Sequence, residues 1–383
     1  MVIQPTVSHY REPLIRELLD SPRADFSLFG IRGASGTSSA VNRIRDASDD
    51  ALDQVQLVDT YCFRELRWER GVVRTAIRGD FDALVLEGRI YTLSTLLALI
   101  VGRTLKRPVY LWGHGWKRDE FGIKRMIRVN YYRLAAGLLL YGDKARERAI
   151  TYGLDRRKID VVGNSIYSMR TLRDLPYRKT RSDNGTFRLI VSCRLTPRHH
   201  LELLADAMSD LKETLDIAIT VVGDGSEREG LVELFARKDL KAEFHGAVFD
   251  EARLAGLYRN SDLAVSPAAS GLNVIQALGF ATPILVPDED PAAGPEHEAV
   301  VHGRTGLKFR HGDSRDLARA IAAAAEDGES LLRMGSAGRK RVESRYVAEM
   351  HAQAITDAVL RTLCHPTESA QSLLTEEEHK RNS

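Results

Sequence analysis

Several clusters in this 383-residue chain combine residue types that can handle an anion. Arg194 follows the apolar run at 189–193. A guanidinium at a strand end can grip phosphate oxygens with two parallel hydrogen bonds. Arg198, His199 and His200 continue this basic cluster. Ser270, Gly271, Leu272 and Asn273 stand where an apolar-periodic helix must begin. A helix start leaves backbone N–H groups pointing forward, which suits a negative group. Gly223 and Gly225 flank Asp224 after another apolar run, where glycine lets the backbone approach a ligand. His114 sits in Trp112-Gly113-His114-Gly115-Trp116, and the glycines expose its imidazole. An exposed imidazole can hydrogen-bond a substrate or help a proton move. His9, Tyr10 and Arg11 lie at the first strand–helix junction, and Glu296 and Glu298 lie in an acidic loop near 288–298.

These residues need elements that bring them together. Short apolar runs near 2–4, 26–29, 83–86, 109–112, 137–141 and 160–162 alternate with helical stretches, including 11–19 and 93–104. The alternation restarts with strands near 189–191, 217–222, 242–245, 263–265 and 284–286. Helices are expected at 201–211, 229–236, 254–258, 313–325, 330–346 and 348–363. Such alternation predicts parallel sheets covered on both faces, an α/β class. We divide the chain into residues 1–172, a polar basic linker near 173–186, a second unit at 187–346, a helix at 347–364 returning to the first unit, and a polar tail at 365–383. Two doubly wound units place a cleft between them, with ligands outside the carboxyl ends of the strands. The stretches above fall in loops that follow strands.

Order and wording of motifs then add a resemblance. VSCRLTPRHHLELL, VVGDGSEREGL, FHGAVFDEARLAGLYRNSDLAVSP, GLNVIQALGFATPIL and PEHEAVVHGRTGLKF resemble the group 1 (GT4) retaining glycosyltransferases of GT-B fold, in that family's order. The first half resembles a bacterial branch through PTVSHYREPL, VYLWGHGW, LLLYGDKARERAITYGL and KIDVVGN. The resemblance implies two Rossmann-like domains facing a cleft, with the C-terminal one holding a nucleotide-sugar and the N-terminal one the acceptor. It implies a diphosphate held by Arg194 and by backbone N–H groups of Ser270–Asn273, and a nucleobase against the loop at Val248. His114 would face the transferred sugar, and His9, Tyr10 and Arg11 the acceptor. The family's lysine of the cationic clamp is His199 here, so either His199 is protonated in the complex, or Arg198 replaces it, or activity is weakened. Of two family glutamates, the inner, ribose-binding position is Gln276 and the outer falls in 268–270. Glu296 or Glu298 would reach the sugar or ribose.

The implied reaction is transfer of a sugar from a nucleotide-sugar to a hydroxyl of a glycan or lipid-linked glycan in surface polysaccharide synthesis. It needs no metal, and the nucleotide-sugar is a co-substrate rather than a cofactor. A non-catalytic donor- or glycan-binding subunit and a sugar-nucleotide epimerase remain open as alternatives.

Net charge of +2 implies no general nucleic-acid field. The three cysteines, Cys62, Cys193 and Cys364, suggest no disulfide framework. The N-terminal stretch does not read as a secretory leader, and the apolar segment 93–101 is too short to span a bilayer. A cytoplasmic location follows. Residues 116–133 interleave Lys117, Lys124, Arg125 and Arg128 with Phe121, Met126, Ile127 and Tyr131. That pattern predicts a helix resting on an anionic membrane surface. The Gly/Ser stretch 31–39 lacks the Gly-Lys-Ser/Thr ending of a phosphate loop and is read as a plain loop.

Overall fold

The computed structural model describes residues 2–4, 7–30, 48–175, 177 and 185–364. The loop expected at 31–39, most of the linker and the tail at 365–383 lie outside these residues.

The N-terminal sheet contains β1 (Val2–Gln4), β2 (Leu28–Gly30), β3 (Val55–Leu57), β6 (Leu84–Glu87), β7 (Val109–Gly113), β8 (Gly137–Leu140) and β9 (Ile159–Val161). Its order is β3-β2-β1-β6-β7-β8-β9, all parallel. The second sheet contains β10 (Phe187–Ser192), β11 (Ile217–Val222), β12 (Lys241–Gly246), β13 (Leu263–Val265), β14 (Ile284–Pro287) and β15 (Gly306–Phe309). Its order is β12-β11-β10-β13-β14-β15, again parallel. Both are doubly wound sheets whose order reverses beside the first strand. Continuous apolar strands fit this burial. Leu84, Val85 and Leu86 are all buried, as are Leu138, Leu139 and Leu140, because helices cover both faces. Each buried Leu, Ile or Val contributes about 1.5–3 kcal/mol.

Two connections join the sheets. One runs from β9 through helix Met169–Asp174 towards β10. The other is helix Ala348–Cys364, whose Ile355, Ala352 and Val359 pack with Leu14 and Leu18 of helix Glu12–Leu19. Among the described residues, no helix is long and apolar enough to cross a membrane.

Two regions depart from expectation. Residues 60–69 form an antiparallel hairpin, β4 (Thr60–Phe63) with β5 (Leu66–Glu69), pairing Tyr61 with Trp68 and Phe63 with Leu66. These four apolar side chains share one face and are exposed, whereas Glu69 on the other face is buried. Arg67 reaches inward, with Nη1 3.4 Å from Glu87 Oε2. The hairpin is thus inverted, polar inward and apolar outward. The second departure concerns helix Gly122–Arg133. Phe121, Ile123, Met126 and Ile127 are exposed, but Tyr131 is buried and Arg128 donates to Glu120 at 2.8 Å. Tyr131 and Arg128 therefore leave the surface stripe expected for them. Their positions point inward, where packing and an ion pair hold them.

Candidate functional site

The carboxyl ends of the C-terminal strands open on a cavity of about 350 Å³. Arg194, Gly271, Leu272, Asn273, Gln276 and Val248 line it, and His9 and Tyr10 reach it from the other sheet. Arg194 follows β10 and is exposed to the cleft. Gly223 and Gly225 act on this loop rather than on a ligand. A Cβ at Gly223 would lie 1.8 Å from Cys193 O, and one at Gly225 would lie 2.2 Å from Leu195 O. The Leu195 N–H donates to Asp224 O at 3.0 Å. Glycines here let the 223–225 turn press against the loop that carries Arg194, which corrects the expected ligand approach.

His199 is buried, and its Nδ1 is 3.0 Å from Thr196 Oγ1. Burial first, then Arg198, lowers its pKa to about 4. It is neutral near pH 7, which favours Arg198 among the open alternatives for the clamp. The exposed Arg198 is the second cation of this loop.

At helix Leu272–Gly279 the Ser270 side chain is buried and lies 2.8 Å from His297 Nδ1. Asn273 Oδ1 accepts from Gly271 N–H at 2.8 Å. The Gly271 N–H is thus taken, while the N–H groups of Leu272 and Asn273 have no acceptor within a helix's first turn. Gln276 Oε1 accepts from Ser192 Oγ at 2.8 Å and from Tyr258 OH at 3.1 Å, while Nε2 donates to Tyr167 OH at 3.3 Å. Its amide is matched within the protein.

Across the cleft, His114 is exposed on the wall of a second cavity of about 590 Å³, and its ring meets Tyr141 edge-on at 4.9 Å. Surrounding protein, then Lys117 and Arg11, lowers its pKa to about 3, so the imidazole is neutral. A neutral imidazole can donate from one nitrogen and accept at the other. Tyr10 lines both cavities.

Arg11 is buried and points inward. It donates to Asn164 Oδ1 at 2.6 Å and to Tyr141 OH at 3.2 Å, with Tyr10, Trp112 and Tyr141 rings around it. It is part of the junction between sheets rather than a free acceptor contact. Asn164 in turn donates to buried Glu296, whose pKa is raised by burial. Glu298 accepts from the N–H groups of Asp143 and Lys144 at 2.7 and 3.0 Å. It caps helix Asp143–Thr151 of the other sheet, so both oxygens are occupied and the expected sugar contact is corrected.

Sequence reasoning missed Ser192, Tyr167 and Tyr258, which hold Gln276, and Asn164, which joins Arg11 to Glu296. It also missed Phe249, whose ring meets His9 edge-on at 5.5 Å. Strand-end placement was the only signal available for Ser192 and Asn164.

Residues 176–341 match the family model described as Glycosyl transferases group 1. Among sequence relatives, a glycogen synthase of Mycobacterium tuberculosis is 26% identical over 215 residues, covering 55% of this chain and 50% of its own. A D-inositol 3-phosphate glycosyltransferase of Nocardia farcinica is 30% identical over 210 residues, covering 50% and 45%. The chain spans about half the length of these relatives. Similar solved structures include Anabaena HepE in complex with UDP, with TM-score 0.68, 17% identity and coverage of 94% and 99%. The lipopolysaccharide outer core galactosyltransferase WaaB, apo form, has TM-score 0.70, 13% identity and the same coverage of 94% and 99%. These similarities establish the GT-B fold. Residues 176–341 thus match the group 1 glycosyl transferase model, and the chain shares the GT-B fold of these structures.

Proposed function

We propose that this protein is a retaining glycosyltransferase that moves a sugar from a nucleotide-sugar to a hydroxyl of a glycan or glycolipid. The observation that carries the reading is Arg194 beside the Leu272 and Asn273 N–H groups on one cavity. As the bond to the donor breaks, the leaving diphosphate gains negative charge. Arg194, Arg198 and the helix start are fixed donors for that charge, and such preorganised groups act most strongly in a partly dry cleft. Neutral His114 orients the sugar by hydrogen bonding, and closure about the two connections brings it to the donor. HepE with UDP makes UDP-sugars the first donors to try. Arg194→Ala should lower transfer by about 100-fold or more. A near-normal rate would remove the diphosphate role.

A non-catalytic donor-binding subunit is the second reading, supported by Gln276, which has no carboxylate and is matched internally. Tight nucleotide-sugar binding with neither transfer nor hydrolysis across a donor panel would decide for it.

The same protein would work at the inner face of a membrane. Exposed Phe121, Ile123, Met126 and Ile127, beside exposed Lys124 and Arg125, support this reading. So does the inverted hairpin, with Arg64 and Arg70 exposed near its apolar face. Apolar side chains flanked by cations suit an anionic bilayer surface. Ile123→Asp with Phe63→Asp should abolish co-sedimentation with phosphatidylglycerol vesicles while leaving nucleotide-sugar affinity unchanged. Undiminished sedimentation would count against membrane docking.

A further inference from the structure

The cavity of about 590 Å³ at the carboxyl edge of the N-terminal sheet carries more positive charge than its own carboxylates can balance. Its acidic groups are Glu87 and Glu120, and both are already engaged. Glu87 Oε2 is 3.4 Å from Arg67 Nη1. Glu120 is 2.8 Å from Arg128 Nε and 3.9 Å from Lys124 Nζ. Arg89, Lys117 and Arg118 also line the wall. Among the described residues, none of these three side chains has an ion-pair or hydrogen-bond partner. Burial first, then Arg198 across the cleft, lowers the Lys117 pKa, against the pull of Glu296. Glu87 and Glu69 attract Arg89, and Glu296 attracts Lys117, yet Arg11, Arg89, Lys117, Arg118, Lys124 and Arg128 outnumber Glu87 and Glu120 on this wall, so an arriving anion meets net positive charge.

We propose that this cavity binds a phosphoryl group carried by the acceptor. The proposal rests on the transferase reading and names the acceptor class for it. Shape favours phosphate over carboxylate. A planar carboxylate bears one charge and is matched by a single guanidinium. Three separate cations fit a tetrahedral group with up to two charges and three acceptor oxygens. His114 stands on the same wall, and Tyr10 is shared with the donor-side cavity. The phosphate would therefore anchor an acceptor whose hydroxyl reaches the transferred sugar.

Helix Gly122–Arg133 separates two possible sources of the phosphate. Lys124 and Arg128 line the cavity, whereas Ile123, Met126 and Ile127 are exposed. A lipid phosphate would lay its chain on those apolar residues, and a soluble sugar phosphate would not use them.

Calorimetric titration of the full chain with farnesyl phosphate and glycerol 1-phosphate tests this, with farnesol, glycerol and glucuronate as controls. At least one phosphate should bind about 10-fold or more tighter than its neutral partner. The Arg89→Gln, Arg118→Gln pair should lose about 10-fold or more of that affinity, since charge-assisted hydrogen bonds disappear. Both arginines are exposed, so the pair leaves the core intact. Arg194→Ala should leave phosphate affinity within about twofold, which separates this site from the donor site. Much tighter farnesyl phosphate would identify a lipid-linked acceptor, and equal affinities a soluble one. Phosphates binding no better than neutral controls or glucuronate would overturn the proposal, as would a loss that follows Arg194 instead. Nucleotide-sugar binding, read on the same samples, reports on the donor site separately.

Discussion

Gln276 decides how the donor pocket is held. Three hydroxyls converge on its amide, from Ser192, Tyr258 and Tyr167. Burial pushes the Tyr258 and Tyr167 hydroxyl pKa values up, so both stay protonated. Gln276→Leu keeps the size but strands these polar groups in a buried site. The variant should lose about 1–3 kcal/mol of stability, read by chemical denaturation. Unchanged stability would show that the amide is not the keystone of this cluster. At this scale the positions of Arg194 and His114 were legible because each lies directly after an apolar run, and that of Asn273 because it lies at a helix start. The partners of Gln276 were not, because Tyr258 lies 18 and Tyr167 lies 109 positions away. Only the fold brings them together. For His199 the sequence left the charge open, because it shows a basic residue type while burial decides the charge.

Among the elements, helix Asp143–Thr151 shows how a loop of one sheet serves the other. Its first N–H groups lie at the positive end of the helix dipole. Glu298 supplies the carboxylate, and Arg345 donates to Asp143 at 2.6 Å beside it. Glu298→Ala should cost about 0.5–2 kcal/mol, as loss of a helix cap does, with donor affinity unchanged. A fall in nucleotide-sugar affinity at unchanged melting temperature would instead restore the sugar contact. A cap from 155 positions away leaves no local pattern in the sequence. The hairpin at 60–69 was not expected from the sequence at all. Apolar alternation at Tyr61, Phe63, Leu66 and Trp68 shows that one face is apolar, and nothing local says which face meets solvent. β3 has three residues, too few for a period to register.

Over the whole molecule, the two sheets are joined by a polar seam under helix Ala348–Cys364. Met169 N–H donates to both oxygens of Glu349 at 2.8 and 3.0 Å, and Arg11 reaches Glu296 through Asn164. His351 lies at the centre, fully buried, with Nδ1 3.0 Å from Ser165 Oγ and its ring against Trp112 and Tyr141. Among the described residues its Nε2 has no hydrogen-bond partner. Burial and then Arg11 hold its pKa well below 6.5, because a second N–H there would face no acceptor. The unfolded chain takes up a proton near pH 6.5 and the folded chain does not. The stabilisation from His351 is therefore complete above that pH and lost as pH falls towards the folded pKa. The loss grows as pH falls below 6.5, at up to about 1.4 kcal/mol per pH unit. His351→Gln carries no such group. Denaturation of both proteins at pH 7 and pH 5 should show the wild type losing more stability than the variant. Parallel losses would mean that the ring is protonated in the folded seam, and that the junction between the sheets opens to water at the lower pH.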